Sequence, residues 1–413
     1  VFVKSGGLAL VALGLDPIFL TRAAYAIDRP LGASGGKTLV CIFQRGAVDG
    51  LNMVVPHGDS FYYRERPRIA IPRPGAPGGA IDLDGHFGLH PALQPLAELY
   101  RNGALAIVHA VGSPDGTRSH FDAQDYMESG TPGIKSTEDG WLNRILQTQH
   151  NREHRDTPFR GVALGPQLPR ALRGAAPALA IDNLQAFGIR APEPVRDRLT
   201  AAFEELYQAS ATGLVASSSK EAFEAVRMLK SVNPGTYRPA EGVAYPRGPL
   251  GSSLKQIAQL IKADLGVEIA FTDVGGWDTH VNQGASEGQL AARLTEFAQA
   301  LAAFSRDLDE RMRDVVVLTM SEFGRTIAEN GNVGTDHGHG TAMFVVGGGV
   351  NGGRVHGTWP TLDPAKRYEG RDLAVTTDFR DLFAEVVTNH LGAAHLSTIF
   401  PGYGGPKRLG VIG

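Results

Sequence analysis

Asp278 and His280 stand two residues apart in the run Gly275-Gly276-Trp277-Asp278-Thr279-His280, and His337 and His339 repeat that interval in Asp336-His337-Gly338-His339-Gly340. Carboxylate oxygen and neutral imidazole nitrogen are donors that suit Zn²⁺, Mn²⁺ or a related ion. In a strand, side chains two apart share a face; in a loop they can still chelate together. The glycine beside each pair lets the backbone turn sharply. Two further carboxylates sit in similar company: Asp49 in Gln44-Arg45-Gly46-Ala47-Val48-Asp49-Gly50, and Glu322 in Ser321-Glu322-Phe323-Gly324-Arg325. The expected cofactor is a divalent metal, Zn or Mn first, with Ca or Mg as alternatives. The candidate ligands are Asp49, Asp278, His280, Glu322, His337 and His339.

A nucleophile is offered by Ser119 in Gly116-Thr117-Arg118-Ser119-His120-Phe121-Asp122. A hydroxyl attacks poorly until a metal or base activates it. With such help, Ser119 could attack a phosphorus or sulfur ester, with His120 and Asp122 as ligand or base. Arg45, Arg118 and Arg325 lie in the same segments, and their planar forks suit an anionic substrate, small molecule or polymer. Each residue also has a plainer use. Asp49 could cap a helix starting near Leu51, and Asp278 could stabilise a turn. Glu322 could pair with Arg325 or Arg45. Ser119 and Thr117 could bond locally, and the histidine pair could belong to a satisfied polar loop.

The elements that must carry these residues are short and apolar. Leu39 to Phe43 reads as a strand buried on both faces, as do Leu105 to His109, Leu179 to Ile181, Val267 to Phe271, Val315 to Leu318 and Met343 to Val346. Between them lie helical patterns. The clearest is 288–313, where Leu290, Leu294, Phe297, Leu301, Phe304 and Leu308 recur at intervals of three and four. Residues 191–230 also read as helical, and 62–90 and 234–249 as proline- and glycine-rich loops. Helix then buried strand, repeated, predicts an α/β fold with a mostly parallel central sheet and helices on both faces. In such sheets ligands bind outside the carboxyl ends of the strands, where four of the candidate segments fall.

Composition narrows the function classes. The 413 residues are 42% hydrophobic and 20% charged, with a formal net charge of −3, which gives no basis for nucleic acid or an acidic membrane as partner. The single Cys41, inside an apolar run, reads as a buried, inert thiol. Gly347-Gly348-Gly349 reads as a turn, since neither a phosphate-loop lysine nor a dinucleotide fingerprint accompanies it. Gly6 to Leu20 followed by Ala24-Tyr25-Ala26 reads as an export signal remnant over 1–26, with one domain over 38–413. The apolar stretch is interrupted by Asp16 and Pro17 and predicts no stable membrane span. Oligomeric state is not readable from one chain.

Taken together, Phe43 to Asn52, Ser119-His120-Phe121, Gly275 to His280, Ser321 to Thr326 and Asp336 to Gly340 resemble the DUF1501 family, across nearly the whole chain. That family is placed with the alkaline phosphatase and sulfatase superfamily, and its members are typically exported by a twin-arginine signal. The resemblance implies an alkaline phosphatase-like fold in the periplasm or another exported location. It implies Asp49 as a first-strand metal aspartate, Asp278 and His280 on the other metal, His337 or His339 as a late metal histidine, and Ser119 as the nearest match to the nucleophile. Glu322 stands where the superfamily usually carries adjacent aspartate and histidine. The Ser119 segment lacks the x-Pro-x-Arg of the sulfatase maturation motif, which argues against ordinary sulfatase chemistry. The implied activity is metal-dependent hydrolysis of a phosphate or related anionic ester. The alternative is an exported binding or assembly protein that has lost catalysis.

Overall fold

The computed structural model describes residues 36–149, 157–186, 224–229 and 234–413. The first strand, β1 (Thr38–Gln44), is buried at every position. Its side chains alternate: Val40 and Ile42 enter one core cluster, and Leu39, Cys41 and Phe43 enter another on the opposite face. A strand with two apolar faces needs helices on both, and the chain supplies them.

The helices that matter are α1 (Gly50–Met53), α2 (His120–Ser129), α3 (Trp141–Thr148), α4 (Pro249–Lys262), α5 (Gln289–Leu308) and α6 (Phe379–Asn389). Leu254 and Ile257 of α4 and Leu294, Phe297, Leu301 and Phe304 of α5 cover the first face. Trp141 and Ile145 of α3 and Phe383 and Val386 of α6 cover the second. Trp141 stacks on Phe383 with ring centroids 4.8 Å apart. Each such side chain contributes roughly 1.5–3 kcal/mol by leaving water. Helix α5 is the pattern predicted over 288–313; it stops at Leu308, where Asp309 takes a φ of +48°, and a 3₁₀ turn leads into the next strand.

The remaining strands are β2 (Val54–Val55), β3 (Ile81–Asp82), β4 (Gly88–Leu89), β5 (Leu105–Gly112), β6 (Gly161–Leu164), β7 (Leu179–Ile181), β8 (Ile269–Val274), β9 (Val315–Met320), β10 (Thr341–Gly347), β11 (Val355–His356) and β12 (Thr377–Asp378). The central sheet runs β11-β5-β10-β9-β1-β8-β6-β7, with β12 also on β5. Strands drawn from along the chain, from β1 at Thr38 to β12 at Asp378, therefore contribute to this one sheet, with β2, β3 and β4 apart from it. The six strands expected from the sequence are all present.

One expectation needs correction. The strand around Met343 to Val346 is not another parallel strand: β10 pairs antiparallel with both β5 and β9. The other pairings in this sheet are parallel, so it is mixed, mostly parallel, and flanked by helices. The reversal has a direct effect. The start of β10 lies at the same edge as the ends of β1, β5, β8 and β9, so the segment before β10 reaches the segments that follow the others.

The predicted loop at 62–90 contains β3 and β4, which join β2 in a small antiparallel sheet. The segment 234–249 is irregular apart from a 3₁₀ turn at Pro234–Thr236; the buried Asp307 accepts from the Tyr245 hydroxyl at 2.8 Å and ties it down. Of the helix expected over 191–230, the stretch 224–229 is helical and the rest lies outside the described residues, as does the 1–26 segment. Among the described residues no helix is long and apolar enough to cross a membrane. Cys41 is fully buried, and burial pushes its thiol pKa up, as an inert core thiol requires.

Candidate metal centre

Three chain segments meet at the sheet edge where β5, β8 and β9 end. After β8, the turn Gly275–Gly276 leads to Trp277, whose buried indole donates to the Val274 carbonyl at 2.9 Å and anchors the turn. Asp278 and His280 follow. After β5, a loop leads to Ser119, which caps α2: its Oγ accepts from the Asp122 N–H at 3.5 Å. His120 is the first residue of that helix.

The third segment is the excursion between β9 and β10. It closes on itself as a short antiparallel ladder, with Thr326 N donating to Asp336 O at 2.9 Å, Gly338 N to Gly324 O at 2.8 Å and Gly324 N to His339 O at 2.8 Å. The two arms lie very close. A Cβ on Gly338 would stand 2.3 Å from the Arg325 carbonyl carbon, so only glycine fits there. This ladder presents His337 to the other two segments.

The imidazoles converge. His337 Nε2 lies 3.0 Å from His120 Nε2 and 3.0 Å from His280 Nε2. Asp278 Oδ1 lies 2.9 Å from His280 Nε2 and 3.2 Å from His337 Nε2, and Asp278 Oδ2 lies 3.5 Å from His120 Nε2. His120, Asp278 and His337 each offer a ligand atom, and these three atoms lie within 4.8 Å of one another. The set can coordinate a metal ion, with His280 beside it.

The other ring nitrogens say which tautomers are present. His120 Nδ1 donates to Glu322 Oε1 at 2.8 Å, His280 Nδ1 to Asp336 Oδ1 at 3.0 Å and His337 Nδ1 to the Arg118 carbonyl at 3.0 Å. Carboxylate and carbonyl oxygens only accept, so each Nδ1 carries the proton. In the neutral imidazoles, three Nε2 lone pairs and a carboxylate then point into one space. A proton or a cation between them would relieve the repulsion of those lone pairs. Zn–N bonds of about 2.0–2.1 Å place the corners of a tetrahedron about 3.3 Å apart, close to the observed spacings. An acceptor behind each ligating imidazole is also the usual second layer of a metal site. The donor set therefore fits a divalent ion.

Electrostatics agree. Burial alone would raise the pKa of Glu322, but hydrogen bonds from His120, Gln124 and the Gly46 N–H hold it below the usual carboxylate range. Its contact raises His120 above the ordinary imidazole range against burial. His337 is lowered by burial and by the neighbouring His120. Burial would raise Asp278, but the guanidinium of Arg325, 2.5 Å away, holds it low. The Asp278 side chain is 42% exposed, so the centre faces solvent.

A family model described as "Protein of unknown function (DUF1501)" matches residues 36–410. The chain belongs to the DUF1501 family. No curated protein matches it in sequence. Several solved structures are distantly similar to this DUF1501 chain. The C-terminal periplasmic domain of EcEptC from Escherichia coli, in complex with Zn, is 11% identical with a TM-score of 0.40, over 91% of this chain and 89% of that one. A mutant of the alkaline phosphatase PafA is 10% identical with a TM-score of 0.34, over 71% of this chain and 64%, just under two thirds, of that one. The PsFucS1 sulfatase from Pseudoalteromonas sp. is 12% identical with a TM-score of 0.34, over 90% and 71%.

The candidate residues of this DUF1501 protein fall into two groups. Asp278, His280 and His337 meet, and His120 joins them as a candidate ligand as well as a neighbour of Ser119. Glu322 does not point its carboxylate at the cluster; it holds His120 from behind. Asp49 is occupied elsewhere. It caps α1, accepting from the Asn52 N–H at 3.4 Å, and its other oxygen accepts from Arg66 at 2.6 Å and Gln283 at 2.7 Å, all fully buried. His339 stacks on Tyr368 with centroids 4.2 Å apart and offers no atom to the converging set.

The arginines are engaged as well. Arg45 pairs with Glu128 at 2.9 Å and Asp273 at 2.5 Å. Arg118 pairs with Asp372 and Glu369. Arg325, fully buried, holds Asp278 and donates to Thr335. Sequence reasoning missed Arg66, Gln283 and Thr335. Gln283 Oε1 accepts from Thr335 Oγ1 at 2.9 Å, so a buried chain runs Asp49–Gln283–Thr335–Arg325–Asp278. None of these residues has a spacing that announces such a link.

Proposed function

We propose that this protein is an exported, metal-dependent hydrolase of a phosphate or related anionic ester. The observation that carries the reading is the meeting of three Nδ1-protonated imidazoles, His120, His280 and His337, at an exposed Asp278. A divalent ion held there would polarise an ester oxygen and offset charge developing on it. His120, Asp278 and His337 are the proposed ligands, with His280 as the candidate fourth. Glu322, Asp336 and the Arg118 carbonyl orient them, and Arg325 fixes Asp278. Ser119 stands next to His120 at the helix start and exposed to solvent, where its hydroxyl could reach a bound ester. Arg45 and Arg325, the expected anion clamps, already pair with carboxylates, and their proposed role is to hold Glu128, Asp273 and Asp278 in place.

A second reading has one observation in its favour. Arg45, Arg118 and Arg325 already face carboxylates, and Ser119 is used as a cap. This suits an exported binding or assembly protein in which the ion is structural. The test is elemental analysis of protein purified without chelators, followed by a metal-supplemented screen of phosphomonoesters, phosphodiesters and sulfate esters. Bound metal with turnover that disappears in Asp278→Ala supports the hydrolase. Bound metal without turnover supports the second reading with a structural ion, and absence of metal removes the hydrolase and leaves the second reading without an ion. Export is tested by fractionating cells that produce the full-length tagged protein; a cytoplasmic pool alone counts against it.

A further inference from the structure

His337 supplies the nitrogen that both other imidazoles face, and its ring is held from behind by the Arg118 carbonyl at 3.0 Å. That carbonyl belongs to residues 113–119, an irregular stretch between β5 and α2. Short-range turns tie its backbone, such as Thr117 N donating to Asp115 Oδ1 at 2.9 Å. Its tie to distant chain is the Arg118 side chain. Arg118 Nη2 meets the exposed Glu369 at 2.7 Å, and Nε and Nη2 donate to the fully buried Asp372 Oδ2 at 3.1 and 2.5 Å. The other oxygen, Asp372 Oδ1, accepts from Arg371 Nε at 3.0 Å. Arg371 Nη2 in turn donates to the His337 carbonyl at 2.5 Å. One carboxylate thus holds two guanidiniums, which lead to the ring and to the main chain of the same histidine.

The turn that carries Asp372 touches both segments involved. Glu369 and Gly370 take φ of +49° and +73°, and Asp372 N donates to Tyr368 O at 3.0 Å. Ile327 N donates to Arg371 O at 3.3 Å, which fastens the turn to the excursion between β9 and β10. Gly116 packs on Tyr368 so closely that a Cβ would stand 2.4 Å from the phenol oxygen.

We infer that Asp372 is a positioning residue for His337: through Arg118 and Arg371 it fixes the direction of that imidazole and so sets how tightly the centre holds its ion. The inference rests on the reading of His120, Asp278 and His337 as a metal centre and adds the group that tunes it. Charge-assisted bonds to both oxygens leave a buried carboxylate little freedom to turn. Groups that orient a metal ligand from behind typically change affinity about 10–100-fold.

The test compares Asp372→Asn and Arg371→Met with Arg160→Met, which removes the partner of another buried carboxylate, Glu268, outside the converging set. Zinc affinity is read by competition with a chelator, and the cobalt(II) absorption spectrum reports the geometry around the ion. Asp372→Asn keeps the shape but removes the charge that two guanidiniums face; zinc should bind about tenfold more weakly, and the cobalt bands should shift. Arg371→Met, at a side chain 45% exposed, should weaken zinc about threefold at an unchanged melting temperature, since one of the two ties remains. That variant decides the matter if Asp372→Asn does not fold. Arg160→Met should lower the melting temperature and leave affinity and spectrum as in the wild type. If the folded Asp372 and Arg371 variants keep the wild-type affinity and spectrum, or if Arg160→Met changes them equally, the inference fails while the metal centre stands. If the wild type takes up neither zinc nor cobalt, the metal reading fails and this inference with it.

Discussion

Arg66 donates to Asp49 across 2.6 Å, and neither side chain reaches solvent. Arg66 also donates to Asn52 and to the carbonyls of Ile327 and Thr326, so the guanidinium is fully committed. Asp49→Asn would leave this buried cation without its counter-charge, a loss of about 3–5 kcal/mol. The expected outcome is a large drop in melting temperature with metal content unchanged, read by calorimetry and elemental analysis. Loss of metal at full stability would instead return Asp49 to the ligand set.

Glu322 and His337 should separate cleanly in metal titrations. Glu322→Gln keeps an oxygen for His120 but removes the charge, and a partner at that distance from the ion typically alters affinity about 10–100-fold. His337→Ala removes the nitrogen shared by both imidazole contacts and should abolish stoichiometric binding. Equal losses in the two variants would mean that Glu322 ligates directly.

Metal affinity should rise with pH beyond the point expected for ordinary histidines. A raised pKa means that metal-free His120 keeps a proton above the ordinary imidazole value of 6.5, and the ion must displace it. Affinity therefore increases as pH climbs through and past that value. In Glu322→Gln, which lacks the carboxylate that raises His120, the rise should move to lower pH. A profile that stays put would detach His120 from the binding step.

Acid should destabilise the fold through two buried histidines outside the converging set. Burial lowers His109 and His390 from 6.5 to about 4 each. The unfolded chain binds these protons first, so stability is intact above about pH 6.5 and is lost as pH falls towards 4. Each contributes about 3 kcal/mol at the low end. His390 donates to the Thr38 carbonyl at 2.9 Å. His390→Gln can keep that bond without titrating, and its melting temperature should fall less steeply between pH 6.5 and 4. An unchanged slope would place the acid sensitivity elsewhere.

Much of the fold was legible because buried strands leave apolar runs and α5 leaves a three-four rhythm. The direction of β10 was not, since an apolar run has no polarity. The position of Asp336-His337 before its strand, where the other candidates follow theirs, is the trace that the reversal left. Asp278, His280 and His337 were readable from donor type and from their place at strand ends. Glu322 was harder, because a carboxylate looks the same whether it meets an ion or an imidazole N–H. Asp49 could not be resolved at all: its partner Arg66 comes from a proline-rich loop whose path no periodicity describes.

The reversed strand also makes one part of the centre a cartridge. Ser321 to Gly340 leaves the sheet from β9 and returns in its hydrogen-bonded neighbour β10, so both ends of the stretch are fixed at adjacent points. Its outermost residues, Gly331 and Asn332, are exposed, while Thr335 and Gly338 at its base are buried. Relatives could lengthen or shorten that tip and so redraw the mouth above the imidazoles without moving a single pairing in the sheet.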